Sequence, residues 1–177
     1  MADALRVVLV DDEALVRSGL RLLLSNAPDI EVVAEASNGR DAVATVLDAQ
    51  PDVVLMDIRM PVMDGIAAVE KILSVHAVPI IMLTAFDTDS FILRALRAGA
   101  AGFLLKSTPP ESLMAAVRAA AAGQPLLSPQ VVDKLVSMQG PALDDAHSHH
   151  TRTARNRLGA LSSREREIAE QIGSAHV

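Results

Sequence analysis

The chain has 177 residues, half of them hydrophobic and 21% charged, which is enough for one domain with a real core plus something more, and too apolar for a disordered chain. Its 22 acidic residues against 16 basic ones leave a net charge of −6, which argues against a surface that grips nucleic acid or anionic lipid all over. With no cysteine there are no disulfides, thiolate nucleophiles or cysteine-bound zinc, and with only Phe86, Phe91 and Phe103 as aromatics there is no platform for stacking bases.

The N-terminus enters an apolar segment without a basic lead, and no apolar run approaches the ~18 residues of a membrane span, so a cytoplasmic protein with no membrane partner is expected. Leu5–Val10 is β-rich and stops at Asp11-Asp12. Ala14–Ser25 carries Leu15, Leu20, Leu22, Leu23 and Leu24 at mostly helical spacing, and Asn26-Ala27-Pro28 ends it. Glu31–Glu35 reads as a strand, Arg40–Ala49 as a helix opened by Ser37-Asn38-Gly39, and Asp52–Met56 as a strand buried on both faces. Asp64–Val75 is helical, Pro79–Leu83 a strand, Asp89–Ala98 a helix closed by Gly99, Ala101–Leu105 a fifth strand. Pro109-Pro110-Glu111 then starts a helix that runs to Ala122-Gly123. Continuous apolar strands joined by helical crossovers predict an α/β fold, a doubly wound five-stranded parallel sheet covered on both faces.

Such sheets bind ligands at the carboxyl ends of their strands. Asp11, Asp12, Asp57, Thr84 and Lys106 fall there, at the ends of four of the five predicted strands. Two carboxylates ~4 Å apart repel by about 4 kcal/mol at an effective dielectric of ~20, so one of them holds a proton or a cation sits between them. An all-oxygen cluster without nearby His or Cys suits a hard cation, Mg²⁺ above all. Asp57 is the candidate nucleophile, since a carboxylate accepts a phosphoryl group as an aspartyl phosphate. Asp12 and Asp57 would hold the ion with Asp11 in support, while Lys106 and the Thr84 hydroxyl would each stabilise a phosphoryl oxygen.

Val10-Asp11-Asp12-Glu13, Met56-Asp57-Ile58-Arg59-Met60-Pro61-Val62-Met63-Asp64-Gly65, Leu83-Thr84-Ala85 and Phe103-Leu104-Leu105-Lys106 together resemble the receiver domain of bacterial two-component response regulators. The resemblance covers residues 5–123 and implies a flavodoxin- or CheY-like topology. It implies that Asp57 takes a phosphoryl group from the phosphohistidine of a sensor histidine kinase or from small phosphodonors. It adds the backbone carbonyl of Arg59 to the Mg²⁺ ligands, and it makes Thr84 and Phe103 a switch pair, although Phe103 reads equally well as a core residue. One departure is that Ser107-Thr108 stands between Lys106 and Pro109-Pro110, where many receivers place a proline directly after the lysine.

Past Gly123 the composition changes. Residues 124–160 read as a linker with one short helix near 128–138, and His147, His149 and His150 lie in its polar tract. Leu161-Ser162-Ser163-Arg164-Glu165-Arg166-Glu167-Ile168 resembles the start of a LuxR/NarL-type (FixJ-type) helix-turn-helix domain. The recognition helix of that family lies further on, so residues 161–177 are expected to hold no DNA-reading element. The expected protein is thus a regulator that binds DNA through a complete C-terminal domain, forms a homodimer on phosphorylation, and is not an enzyme beyond its own phosphorylation and slow dephosphorylation. Two alternatives remain at this point: a stand-alone receiver or phosphate relay, and an aspartyl-phosphate phosphatase. The phosphatase is disfavoured because haloacid-dehalogenase-like folds place the nucleophile on the first strand. Dinucleotide binding fails for want of a Gly-rich turn after that strand.

Overall fold

A computed structural model of the chain describes residues 3–85, 89–124, 126, 132–133 and 136–137. The elements alternate as β1 (Leu5–Val10), α1 (Ala14–Leu24), β2 (Ile30–Ala36), α2 (Gly39–Ala49), β3 (Val53–Asp57), α3 (Gly65–Val75), β4 (Ile80–Thr84), α4 (Asp89–Ala98), β5 (Gly102–Leu105) and α5 (Pro110–Ala121). All pairings are parallel, in the order β2-β1-β3-β4-β5. The order reverses between β1 and β3, and there the crossovers diverge to opposite faces and leave a crevice at the carboxyl edge.

The pleat divides the core in two. Val8, Val10, Val54, Met56, Ile80 and Met82 face α2, α3 and α4, where Val46, Val69, Ile72 and Ile92 meet them. Val7, Leu9, Val53, Leu55, Ile81 and Leu83 face α1 and α5, against Leu20, Leu24, Leu113 and Val117. Alternate residues of one strand therefore serve opposite cores, which explains why the central strands are unbroken apolar runs.

Local chemistry sets the ends. Asn38 caps α2 by accepting from the Asp41 N–H at 2.9 Å, and Asp64 caps α3 by accepting from the Ala67 N–H at 2.8 Å. Pro110 begins α5, where its missing N–H costs nothing. The expected boundaries shift by a residue or two for identifiable reasons. β2 reaches from Ile30 to Ala36 because those residues pair with Leu5 and Val10. Asp52 stays outside β3 because its side chain and N–H both turn to the Arg6 backbone, each at 2.8 Å. Asp57 and Thr84 close β3 and β4 as strand residues; Asp57 is still in register with Leu83, and Thr84 with Leu105. Ala101 precedes β5, its N–H spent on the Ile80 carbonyl.

The leucines of α1 divide between core and solvent. Leu20 and Leu24 are buried, but Leu15 and Leu22 are 86% and 68% exposed, so five leucines produce a narrower apolar face than their number implies. Beyond α5, Leu126 forms an isolated parallel bridge with Gly102, and a Cβ on Gly102 would lie 2.6 Å from that of Leu126. Of the expected 128–138 helix, residues 132–133 and 136–137 are helical and the others lie outside the described residues; so do the histidine tract and residues 161–177. Among the described residues no helix is long and apolar enough to cross a membrane.

Gly19 sits mid-helix in α1 with nothing within 4 Å of where a Cβ would be. Gly19→Ala is expected to stabilise the protein by about 0.5–1 kcal/mol through reduced backbone entropy of the unfolded chain, measured by urea denaturation.

Candidate functional site

Three carboxylates converge where the strand order reverses. Asp11 and Asp12 follow β1, Asp57 ends β3, and each offers an oxygen within 4.8 Å of the others. Asp11 is 1% and Asp57 7% exposed, whereas Asp12 opens to solvent. Lys106, the first residue after β5, reaches across the sheet edge. Its Nζ lies 2.6 Å from Asp11 Oδ2, 3.3 Å from Asp57 Oδ2 and 3.9 Å from Glu13 Oε1. The Ser107-Thr108 insertion before Pro109 leaves this reach intact, because the Lys106 N–H is anchored on the Thr84 carbonyl at 2.8 Å.

The backbone fixes each acid separately. Asp57 Oδ1 accepts from the Ile58 N–H at 2.8 Å, and Asp11 Oδ1 accepts from the Glu13 N–H at 2.9 Å. Asp11 Oδ2 is buried and receives no well-directed hydrogen bond, although the Lys106 ammonium lies beside it. Burial pushes Asp57 above the ordinary carboxylate range; Lys106 pulls it back, the Asp11 charge adds to the rise, and the result stays high. For Lys106, burial works against the ammonium, but the Asp11 contact and the Asp57 charge outweigh it and hold the group above its ordinary value. The oxygen-only donor set, with no His or Cys among the three residues, fits a hard divalent cation.

The other expected residues take up defined places. Thr84 is buried at the end of β4, one position beyond the register partner of Asp57, so its hydroxyl belongs to the same edge. Arg59 lies exposed in the loop two residues past Asp57. Phe103 is 3% exposed in the core that includes Ile92 and Ala95 of α4, which satisfies the core reading directly. That loop also depends on Gly65: its N–H donates to the Ile58 carbonyl at 2.7 Å, and a Cβ there would fall 2.0 Å from the Asp57 carbonyl oxygen.

Sequence reasoning missed two residues. Glu13 extends the acidic rim toward Lys106. Arg17 turns back from α1, its Nη1 donating to the Asp11 carbonyl at 2.6 Å and its Nε to Glu35 Oε2 at 3.1 Å. Its place one helical turn after the acidic pair is a signal that reading α1 by its leucines alone passes over.

The family described as "response regulator receiver domain" matches residues 7–118. The chain belongs to the response regulator family. The transcriptional regulatory protein YxjL of Bacillus subtilis is 38% identical over 173 residues, spanning 96% of this chain and 76% of that protein. LiaR of the same organism is also 38% identical over 173 residues, covering 95% and 82%. A LuxR-family two-component response regulator from Aurantimonas superimposes with a TM-score of 0.72 at 34% identity, over 78% of this chain and all of that one. The described elements are thus the receiver domain of a LuxR-family response regulator, and its acidic cluster is suited to a metal ion.

The raised Asp57 implies that the native receiver binds this proton more tightly than the unfolded chain does, so the ionised carboxylate costs stability at neutral pH. Asp57→Asn is therefore expected to raise the melting temperature in EDTA at neutral pH, with the gain shrinking as pH falls through the native Asp57 pKa. A melting temperature lowered by the substitution would contradict this assignment.

Proposed function

We propose that Asp57 is the phosphoryl acceptor of this receiver and that its phosphorylation state controls transcription through a C-terminal DNA-binding domain. The observation that carries the reading is the Lys106 ammonium lodged between the buried carboxylates of Asp11 and Asp57 at the point where strand order reverses. A structural ion pair needs one acid; this cation faces two, with a third open to solvent beside them.

In the proposed step an Asp57 carboxylate oxygen attacks phosphorus and forms the P–O bond, while the P–N bond of a phosphohistidine breaks and its electron pair returns to the imidazole. With acetyl phosphate the broken bond is P–O and acetate leaves. Asp57 needs no general base, because the ionised carboxylate has no proton to lose. Lys106 exchanges its contact with Asp57 for one to a phosphoryl oxygen, and the Thr84 hydroxyl donates to another. Mg²⁺ held by Asp12, Asp57 and the Arg59 carbonyl, with Asp11 in support, would neutralise charge on the phosphoryl oxygens. Phosphorylation replaces the single negative charge of the Asp57 carboxylate with about −2 on the phosphoryl oxygens, which draws Thr84 inward, and Phe103 on the adjacent strand repacks with it.

The histidine kinase donor, homodimerisation on phosphorylation, the cytoplasmic location and DNA binding through a LuxR-type helix-turn-helix beginning near residue 161 complete the proposal. Residues 1–123 are then the receiver and 124–160 the linker. YxjL and LiaR carry the name transcriptional regulatory protein, and that supports the effector part of the reading.

Intact-mass spectrometry after incubation with acetyl phosphate tests the chemistry. One phosphoryl adduct labile to alkali and hydroxylamine is expected with Mg²⁺, none with EDTA and none in Asp57→Asn. Lys106→Ala should form it more slowly, by about 10²-fold if Lys106 is worth as much as a single oxyanion donor. An adduct retained in Asp57→Asn would overturn the assignment of the acceptor.

A further inference from the structure

We infer that Arg17 is a positioning residue that fixes the peptide joining Asp11 to Asp12, and through it the presentation of the acidic pair to the divalent cation. The inference rests on the proposed reading of the site and adds a residue outside its ligand set.

Arg17 does not touch Asp57 or Lys106 in any described contact. Its side chain, 18% exposed, lies over the end of β1, and Nη1 donates to the Asp11 carbonyl oxygen at 2.6 Å. The Asp11 N–H is already held by the Ala36 carbonyl at 3.1 Å and its Oδ1 by the Glu13 N–H at 2.9 Å. Arg17 supplies the remaining restraint. The Asp11 carbonyl is the oxygen of the planar unit that leads into Asp12, so fixing it fixes the direction in which the Asp12 Cα leaves the strand. Asp12 is exposed, and its carboxylate accepts no hydrogen bond in any described contact; the peptide before it carries the burden of aiming it.

The guanidinium is itself aimed. Glu35, in register with Leu9 at the end of β2, takes Arg17 Nε on one oxygen at 3.1 Å and Arg21 Nε on the other at 2.6 Å. Arg21, and after it Arg17, hold the Glu35 carboxyl below the ordinary carboxylate range, so the anchor stays ionised at neutral pH. A rigid planar fork can meet a carboxylate with one edge and a carbonyl with another, which a lysine ammonium on its flexible stem does less well. Arg17 thus stands to the acidic pair as an outer-shell residue stands to a metal ligand, and loss of such partners commonly weakens metal binding about 10–100-fold.

The test is Mg²⁺ affinity of the full chain by titration calorimetry, paired with acetyl phosphate labelling across Mg²⁺ concentrations. Arg17→Ala is expected to weaken Mg²⁺ binding by about 10-fold or more, with labelling restored toward the wild-type rate at saturating Mg²⁺. Arg21→Ala, which removes the other arginine from Glu35 without touching the Asp11 carbonyl, should keep the wild-type affinity. Arg17→Lys should fall between, and it carries the test if Arg17→Ala does not fold by circular dichroism. Wild-type affinity in Arg17→Ala or in a folded Arg17→Lys, or an equal loss in Arg21→Ala, overturns the inference while the wild-type titration leaves the site reading standing. A wild-type chain that binds no Mg²⁺ overturns both.

Discussion

The contact on which the site turns is the Lys106 ammonium held between the Asp11 and Asp57 carboxylates. Two ionised acids at a buried sheet edge repel each other, and burial makes the repulsion worse. The lysine renders the arrangement tolerable without abolishing its cost: burial first, and the Asp11 charge after it, keep Asp57 raised. That residual frustration is chemically useful. Under the proposed reading, such a pocket gains more from a divalent cation and a phosphoryl dianion, taken together, than a neutral pocket would.

The fold exists to make this contact possible. Lys106 comes from the edge strand β5 and Asp11 from beyond β1, with β3 and β4 between them. Only a parallel sheet directs all these chain ends to one side, and only crossovers on both faces bury the strands enough to keep water from screening the charges. Gly65 serves the same end by letting the start of α3 approach the Asp57 carbonyl closely, so the β3–α3 loop folds tightly beside Asp57.

Much of this was legible in the sequence because strand-end position is set by short-range patterning. The run from Val53 to Met56 announces a strand buried on both faces, and an aspartate directly after it has to sit at the carboxyl edge. The family resemblance stood on the same segments that the receiver match covers. What was not legible depends on side chains meeting across the fold. The helical spacing of the α1 leucines did not separate exposed Leu15 and Leu22 from buried Leu20 and Leu24, because periodicity reports only the helix, not how much of its circumference the sheet covers. Arg17 was invisible because its partners, a backbone carbonyl and a glutamate on another strand, have no pattern in a linear text. The ends of β2 were misjudged because pairing with β1, not local propensity, decides them.

The bare backbone at Gly102 has a consequence for how molecules of this protein meet. β5 is a terminal strand of the sheet, and its outer N–H and C=O groups are the kind that recruit a foreign strand. Because Gly102 has no side chain, the chain returning from α5 lies close enough for Leu126 to bridge to it. The first position of that edge is thereby occupied by the protein's own backbone. Since β5 also carries Phe103 and delivers Lys106, the position so covered lies on the edge where unplanned pairing would disturb the charge centre as well as solubility.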